Sequence, residues 1–118
     1  MNNKEFAKNL EIRTRKFGVS IIRLSTKLPK TSEGSVIKNQ LTKSGTSIGA
    51  NYREANRSRS KADFKNKIGI CSSEANETLY WLEIISDMEW IQPEDLEPIY
   101  NESKELLALL TSISNKMS

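Results

Sequence analysis

Histidine is absent from the 118-residue sequence, and with it go the commonest general acid–base, the commonest metal ligand and every triad built on imidazole. The single cysteine, Cys71, leaves no disulfide framework within one chain and fits a reducing cytoplasm. No apolar run approaches the roughly 18 residues of a membrane span, so no membrane partner is expected. Met1 to Lys8 are polar and charged, with no apolar core or small-residue cleavage site behind them, and no signal peptide is expected there. With five glycines, three prolines and 28% charged residues, the composition suits one compact soluble domain over residues 1–118, located in the cytoplasm. A domain of this length buries roughly 65 to 70% of its unfolded surface and needs neither disulfide nor metal to hold a core.

What is present is charge, unevenly placed. Residues 1–61 carry 14 Lys and Arg against 4 acids, a balance of +10, while residues 62–118 carry 4 against 11, a balance of −7; the formal net charge is only +3. A basic half can attract phosphate, and it can equally attract the acidic half of a neighbouring copy.

Apolar spacing predicts helices throughout. Phe6, Leu10, Phe17, Ile21, Leu24 and Leu28 recur at steps of three, four and seven, one stripe of an amphipathic helix over about residues 3–28. Pro29 and Gly34 then bracket a loop. A second helix over about 35–56 carries Ile37, Leu41, Ile48, Tyr52 and Ala55 on one side. Its middle is a poor helix former, because Gly45 and Gly49 each cost about 1 kcal/mol relative to alanine. Close approach of another helix explains that pair better than a phosphate loop, whose Walker spacing and Lys-Ser/Thr ending are missing. Ser60 and Asp63 read as the N-cap and first-turn acid of a third helix, over about 60–87, with Phe64, Ile68, Cys71, Ala75, Leu79, Leu82 and Ile85 inward. Pro93 fits the first position of a fourth helix, over about 93–116, opened by Glu94, Asp95 and Glu97. Short connections make neighbours antiparallel, so the expected fold is all-α, an up-down-up-down four-helix bundle.

The outer faces carry a second signal. Opposite the core stripe of the first helix lie Ile12, Val19 and Ile22 among basic residues; on the third, Ile70, Trp81, Ile84 and Met88 share a face with Glu74 and Glu77. Two different complementary surfaces make a heterologous contact, which closes into a ring or runs into a filament. The expectation is a homo-oligomeric ring through Ile12, Val19, Ile22, Ile70, Trp81 and Ile84; the competing reading of Trp81 tucks it into the core beside the fourth helix. A second cluster, Arg53, Arg57, Arg59, Lys61, Lys65 and Lys67, surrounds the turn between the second and third helices. Guanidinium groups pair with phosphate oxygens and free amides at a helix start add donors, so phosphate binding is reasonable there; a solvated basic turn is the alternative.

The segment from Ser44 to Ile70, SGTSIGANYREANRSRSKADFKNKIGI, followed by EANETLYWLEII from Glu74 to Ile85, resembles the four helix bundle protein family. Its members include bacterial proteins encoded in intervening sequences of 23S rRNA genes, historically labelled S23 ribosomal proteins, and more distantly the accessory variability protein of diversity-generating retroelements. The resemblance implies an antiparallel bundle commonly assembled as a homopentamer, no recognised catalytic set and, in the retroelement branch, a basic surface that meets nucleic acid and a reverse transcriptase. Residues matching the motif are Ser47, Asn51, Glu54, Arg57, Ser60, Phe64 and Glu77. Asn51 and Glu54 are expected to form a structural polar network tying the second helix to the third, through Ser60 or Arg57.

Catalysis is not expected. Glu74 with Glu77, or Glu94 with Asp95 and Glu97, lack the Glu-x-x-His partners of carboxylate-bridged metal bundles, and Cys71 falls on a core stripe. No metal or cofactor is implied. The expected function is a non-catalytic oligomeric bundle that binds RNA or DNA, or a ribonucleoprotein partner, with weak sequence specificity through Arg53, Arg57, Arg59, Lys61 and Lys65. The alternative is a homo-oligomeric protein-interaction scaffold without a nucleic-acid role.

Overall fold

The chain is organised as four helices: α1 (Asn3–Ser25), α2 (Ser32–Ala55), α3 (Lys61–Asp87) and α4 (Pro93–Asn115). The computed structural model describes residues 3–117 and contains no strand among them; residues 1, 2 and 118, the ends of the span expected as a domain, lie outside the described residues.

Local chemistry sets the boundaries. Expected to run to Leu28, α1 stops at Ser25, and residues 26–28 close a tighter turn, the amides of Thr26, Lys27 and Leu28 donating to the carbonyls of Arg23, Leu24 and Ser25 at 3.3, 3.0 and 3.2 Å. Pro29 bars the preceding residue from helical dihedrals, so the helix tightens and ends. Expected from Ser35, α2 starts at Ser32, capped by the Thr31 hydroxyl, which accepts from the Gly34 amide at 3.1 Å. Gly34 is thus not a loop breaker but a buried first-turn residue whose absent side chain admits the Pro29 carbonyl: a Cβ would overlap that oxygen. Ser60 caps α3, accepting from the Asp63 amide at 3.1 Å. The α3 terminus is a Schellman motif in which Trp90 N–H donates to Ile85 O at 3.3 Å and Glu89 N–H to Ser86 O at 3.0 Å, with Glu89 in the left-handed region at φ 57.

Cross-helix contacts establish the antiparallel order. A Cβ on Gly45 would stand 2.8 Å from two carbons of Ile21, and one on Gly49 would stand 3.2 Å from Thr14, so α1 and α2 run oppositely and nearly touch through these glycines. Cys71 faces the Ile48 carbonyl and Thr78 donates to Ser44 Oγ at 3.0 Å, fixing α2 against α3. Tyr100 donates to Glu83 at 2.9 Å between α3 and α4. Among adjacent helices α1 and α4 meet least, and charge braces the seam: Arg13 makes a two-pronged contact with Glu102 at 2.7 and 2.7 Å, and Lys27 lies 3.5 Å from Asp95.

The core follows the stripes of the first three helices, with Ile21, Leu41, Ile48, Ile68, Leu82 and Ile85 fully enclosed, and α4 adds Leu106 and Leu110. Each such side chain contributes about 1.5–3 kcal/mol of transfer free energy. Phe6, expected inside, is 38% exposed. The register explains it: Glu11 lies opposite Arg53 and Asn56 at the end of α2, so the first turns of α1 overhang their neighbour. Leu79, also expected inside, is only half-buried, while Thr78 takes the fully buried position because its hydroxyl is satisfied by Ser44 and the Glu74 carbonyl.

Candidate nucleic-acid interface

The turn between α2 and α3 is built by two caps in succession. After Ala55 the backbone leaves the helix, and the Arg53 carbonyl loses its amide donor; the Arg57 guanidinium replaces it, donating at 3.2 Å. Arg57 thus caps α2 while keeping its charge at the surface. Ser60 then opens α3, and with Asp63 N–H on Ser60 Oγ and Phe64 N–H on Ser60 O, the amides of Lys61 and Ala62 lack helical acceptors.

Five expected contact residues converge here. Arg53, Arg57, Arg59, Lys61 and Lys65 are all exposed, and Lys67 is half-buried. Arg53 faces Glu11 of α1 at 3.7 Å, whereas Arg59 and Lys61 make no ion pair among the described residues. Because α1 and α4 run opposite to α2 and α3, respectively, the same end of the molecule also receives Lys4 and Lys8 at the start of α1 and Lys116 at the close of α4. Glu54 and Asp63 oppose these charges locally, both exposed.

The turn itself offers no aromatic platform, since Tyr52 is buried at 2% exposure and Phe64 packs against the core; the exposed aromatic at this end is Phe6, in the first turns of α1. The polar network expected between Asn51, Glu54 and Ser60 is not the tie that joins α2 to α3. Asn51 donates to the Ser47 carbonyl of its own helix at 2.9 Å, Ser60 is spent on its cap, and the Glu54 carboxylate makes no hydrogen bond or ion pair among the described residues. Ser44 and Thr78 carry the link between those helices instead. Glu11 and Asn56, hydrogen-bonded at 2.8 Å, join α1 to the end of α2. Thr78 was detectable as a residue at helical spacing between Ala75 and Leu82; nothing in the sequence paired Glu11 with Asn56 across 45 residues.

At the other end of the 44 Å long axis an acidic corner lies beside the basic α1–α2 turn, which carries Lys27 and Lys30. Glu83, Asp87, Glu89 and Glu97 surround Ile91 and Leu96 where α3 hands over to α4. The residues singled out for self-association divide: Val19 and Ile22 on α1 are 43% and 48% exposed and Ile70 on α3 is exposed, while Ile12, Trp81 and Ile84 are half-buried. Trp81 packs against the core, donates to Glu77 at 3.3 Å and meets the Tyr80 ring edge-on at 5.0 Å, leaving part of the indole at the surface. Cys71 is fully enclosed; burial pushes its thiol up to about 12, so it is not a nucleophile in the folded chain. No cluster of three thiol or carboxylate groups placed to hold a metal occurs among the described residues, and no helix among them is long and apolar enough to cross a membrane.

Fold and surface define a class: a small all-helical bundle protein whose polar side chains cap, brace and face solvent. The sequence pattern of the family described as 23S rRNA-intervening sequence protein matches residues 4–112, and the chain belongs to that family. A crystal structure of a protein of unknown function from the S23 ribosomal protein family of Bacteroides thetaiotaomicron is similar to it, with 44% identity, a TM-score of 0.82, and coverage of 88% of this chain and 96% of that one. No curated protein matches the chain.

Proposed function

We propose that the protein is a non-catalytic, self-associating bundle that binds RNA or DNA along the phosphate backbone through Arg53, Arg57, Arg59, Lys61 and Lys65. The observation that carries this reading is the cationic end itself: five exposed basic side chains around two free helix-start amides, with Arg59 and Lys61 outside any ion pair among the described residues. The lack of an exposed stacking aromatic in the turn favours backbone contacts over base readout, hence weak sequence specificity. The family description names 23S rRNA, which supports fragments of that RNA as the first probe.

The test is fluorescence anisotropy with single-stranded RNA and duplex DNA at increasing salt. Five phosphate contacts to single-stranded RNA weaken binding about a hundredfold between roughly 50 and 200 mM salt, and Arg53→Glu, Arg57→Glu and Arg59→Glu together lower the salt slope by about 2. No binding at low salt removes this reading; binding untouched by the three changes removes only the site.

A second reading, a homo-oligomeric scaffold without a nucleic-acid role, is favoured by the exposed Val19 and Ile22 on a basic face of α1 and the exposed Ile70 on an acidic face of α3, with the exposed Met88 at that helix's C-cap. The two faces are complementary in charge and apolar content. Self-association as a ring is common to both readings; the RNA titration separates them.

A further inference from the structure

We propose that Glu11 is a positioning residue of the cationic end: it holds Arg53 against α1, and a bound phosphate must compete with its carboxylate for that guanidinium. The proposal rests on the phosphate-binding reading of the turn. Its basis is the unequal way the two oxygens of one carboxylate are held. Glu11 Oε2 accepts a hydrogen bond from Asn56 Nδ2 at 2.8 Å, which anchors the carboxylate to the end of α2. Glu11 Oε1 lies 3.7 Å from Arg53 Nε, close enough for attraction and too far for a hydrogen bond. The acid is largely covered, at 24% side-chain exposure, while its arginine is 52% exposed. An anchored, half-buried anion thus faces a solvent-facing cation. Arg59 and Lys61 have no such restraint among the described residues, so Arg53 is set apart from those two. The arrangement tunes affinity: it keeps the cationic end from binding every polyanion at full strength, and releases Arg53 only to a phosphate that also engages its neighbours.

The experiment uses the full chain. Glu11→Gln keeps a carbonyl acceptor for Asn56 and removes the charge. Single-stranded RNA then binds about 1.4-fold to fivefold more tightly, the range by which an exposed pair of this kind acts, and the salt slope steepens by up to about 0.7, one further phosphate contact. In an Arg53→Gln background the same change has no effect on RNA affinity. A second readout needs no nucleic acid: phenylglyoxal modification of each arginine, followed by peptide mass spectrometry, is faster at Arg53 in Glu11→Gln and unchanged at Arg59. Equal tightening with and without Arg53 overturns the proposal, since it marks a general charge effect, and so does an unchanged Arg53 modification rate. If the wild-type chain binds no RNA, the phosphate-binding reading and the competition fall together, while an accelerated Arg53 reaction still shows that the restraint itself exists.

Discussion

At the scale of single residues, the positions that break a local rule are the ones whose substitution is most informative. Glu89 occupies the left-handed region at φ 57, where a side chain is strained and glycine is not. Glu89→Gly is expected to stabilise the protein by about 1 kcal/mol, read from urea unfolding. Gly45 works the other way: the Cβ of Gly45→Ala meets the branched side chain of Ile21 at 2.8 Å, and overpacking of about 1–3 kcal/mol follows. Cys71 supplies a pH dependence. An unfolded thiol loses its proton near 9.0, whereas the buried one holds it to about 12. Between those values the unfolded chain binds fewer protons than the folded chain, so stability falls as pH rises through that window and is complete below it. Burial of the Tyr52 hydroxyl acts in the same direction. Thermal unfolding between pH 8 and about 11 should show the decline, and Cys71→Ala should make it shallower; an equal slope in the variant removes Cys71 as its source.

At the scale of elements, the helices and their inward faces were legible because burial repeats at the helical period, and Ser60 and Pro93 are chemical start signals. Gly34 misled because its sequence resembles a breaker; only the fold reveals that Pro29 turns back onto it. Which helices draw nearest was not legible: Gly45 and Gly49 announced a close approach, but the helix they admit, α1, is visible only in three dimensions. Of the cationic site, the residues were readable and their restraints were not, since Glu11 reaches Asn56 and Arg53 across a helix pair. The α1–α4 seam yields a prediction of its own. With few packing contacts there, Arg13 is held by Glu102 and Glu105, and the hydrogen bond to Glu102 raises its pKa. Both partners of the main pair are about one-third exposed, so its strength is that of a well-oriented surface pair. A double-mutant cycle on Arg13→Ala and Glu102→Ala should give a coupling of about 1 kcal/mol. A coupling near zero would show that packing alone closes the bundle.

At the scale of the whole molecule, the division between +10 and −7 along the sequence becomes a division between the α1–α2 pair and the α3–α4 pair, sharpened at two turns: a cationic one between α2 and α3 and an acidic one between α3 and α4. A polar molecule of this kind presents different surfaces to identical neighbours, and a contact between unlike faces propagates around a ring. If Val19 and Ile22 are covered by the α3 face of the next copy, Val19→Glu with Ile22→Glu places two acids against Glu74 and Glu77 and opposes association. Both sites are open in the isolated chain, so its thermal stability should change by no more than about 0.5 kcal/mol per site. Light scattering should then report a smaller species than wild type. Nucleic-acid affinity should fall by about tenfold to a hundredfold or more, although no residue of the cationic turn has changed, because a ring presents several turns to one strand and a single copy presents one. A wild-type chain that is monomeric at working concentration, or a variant that keeps its mass, removes the α1–α3 contact. A variant that loses mass but binds a long RNA as tightly as wild type separates assembly from binding, and places all the affinity in the turn of one copy.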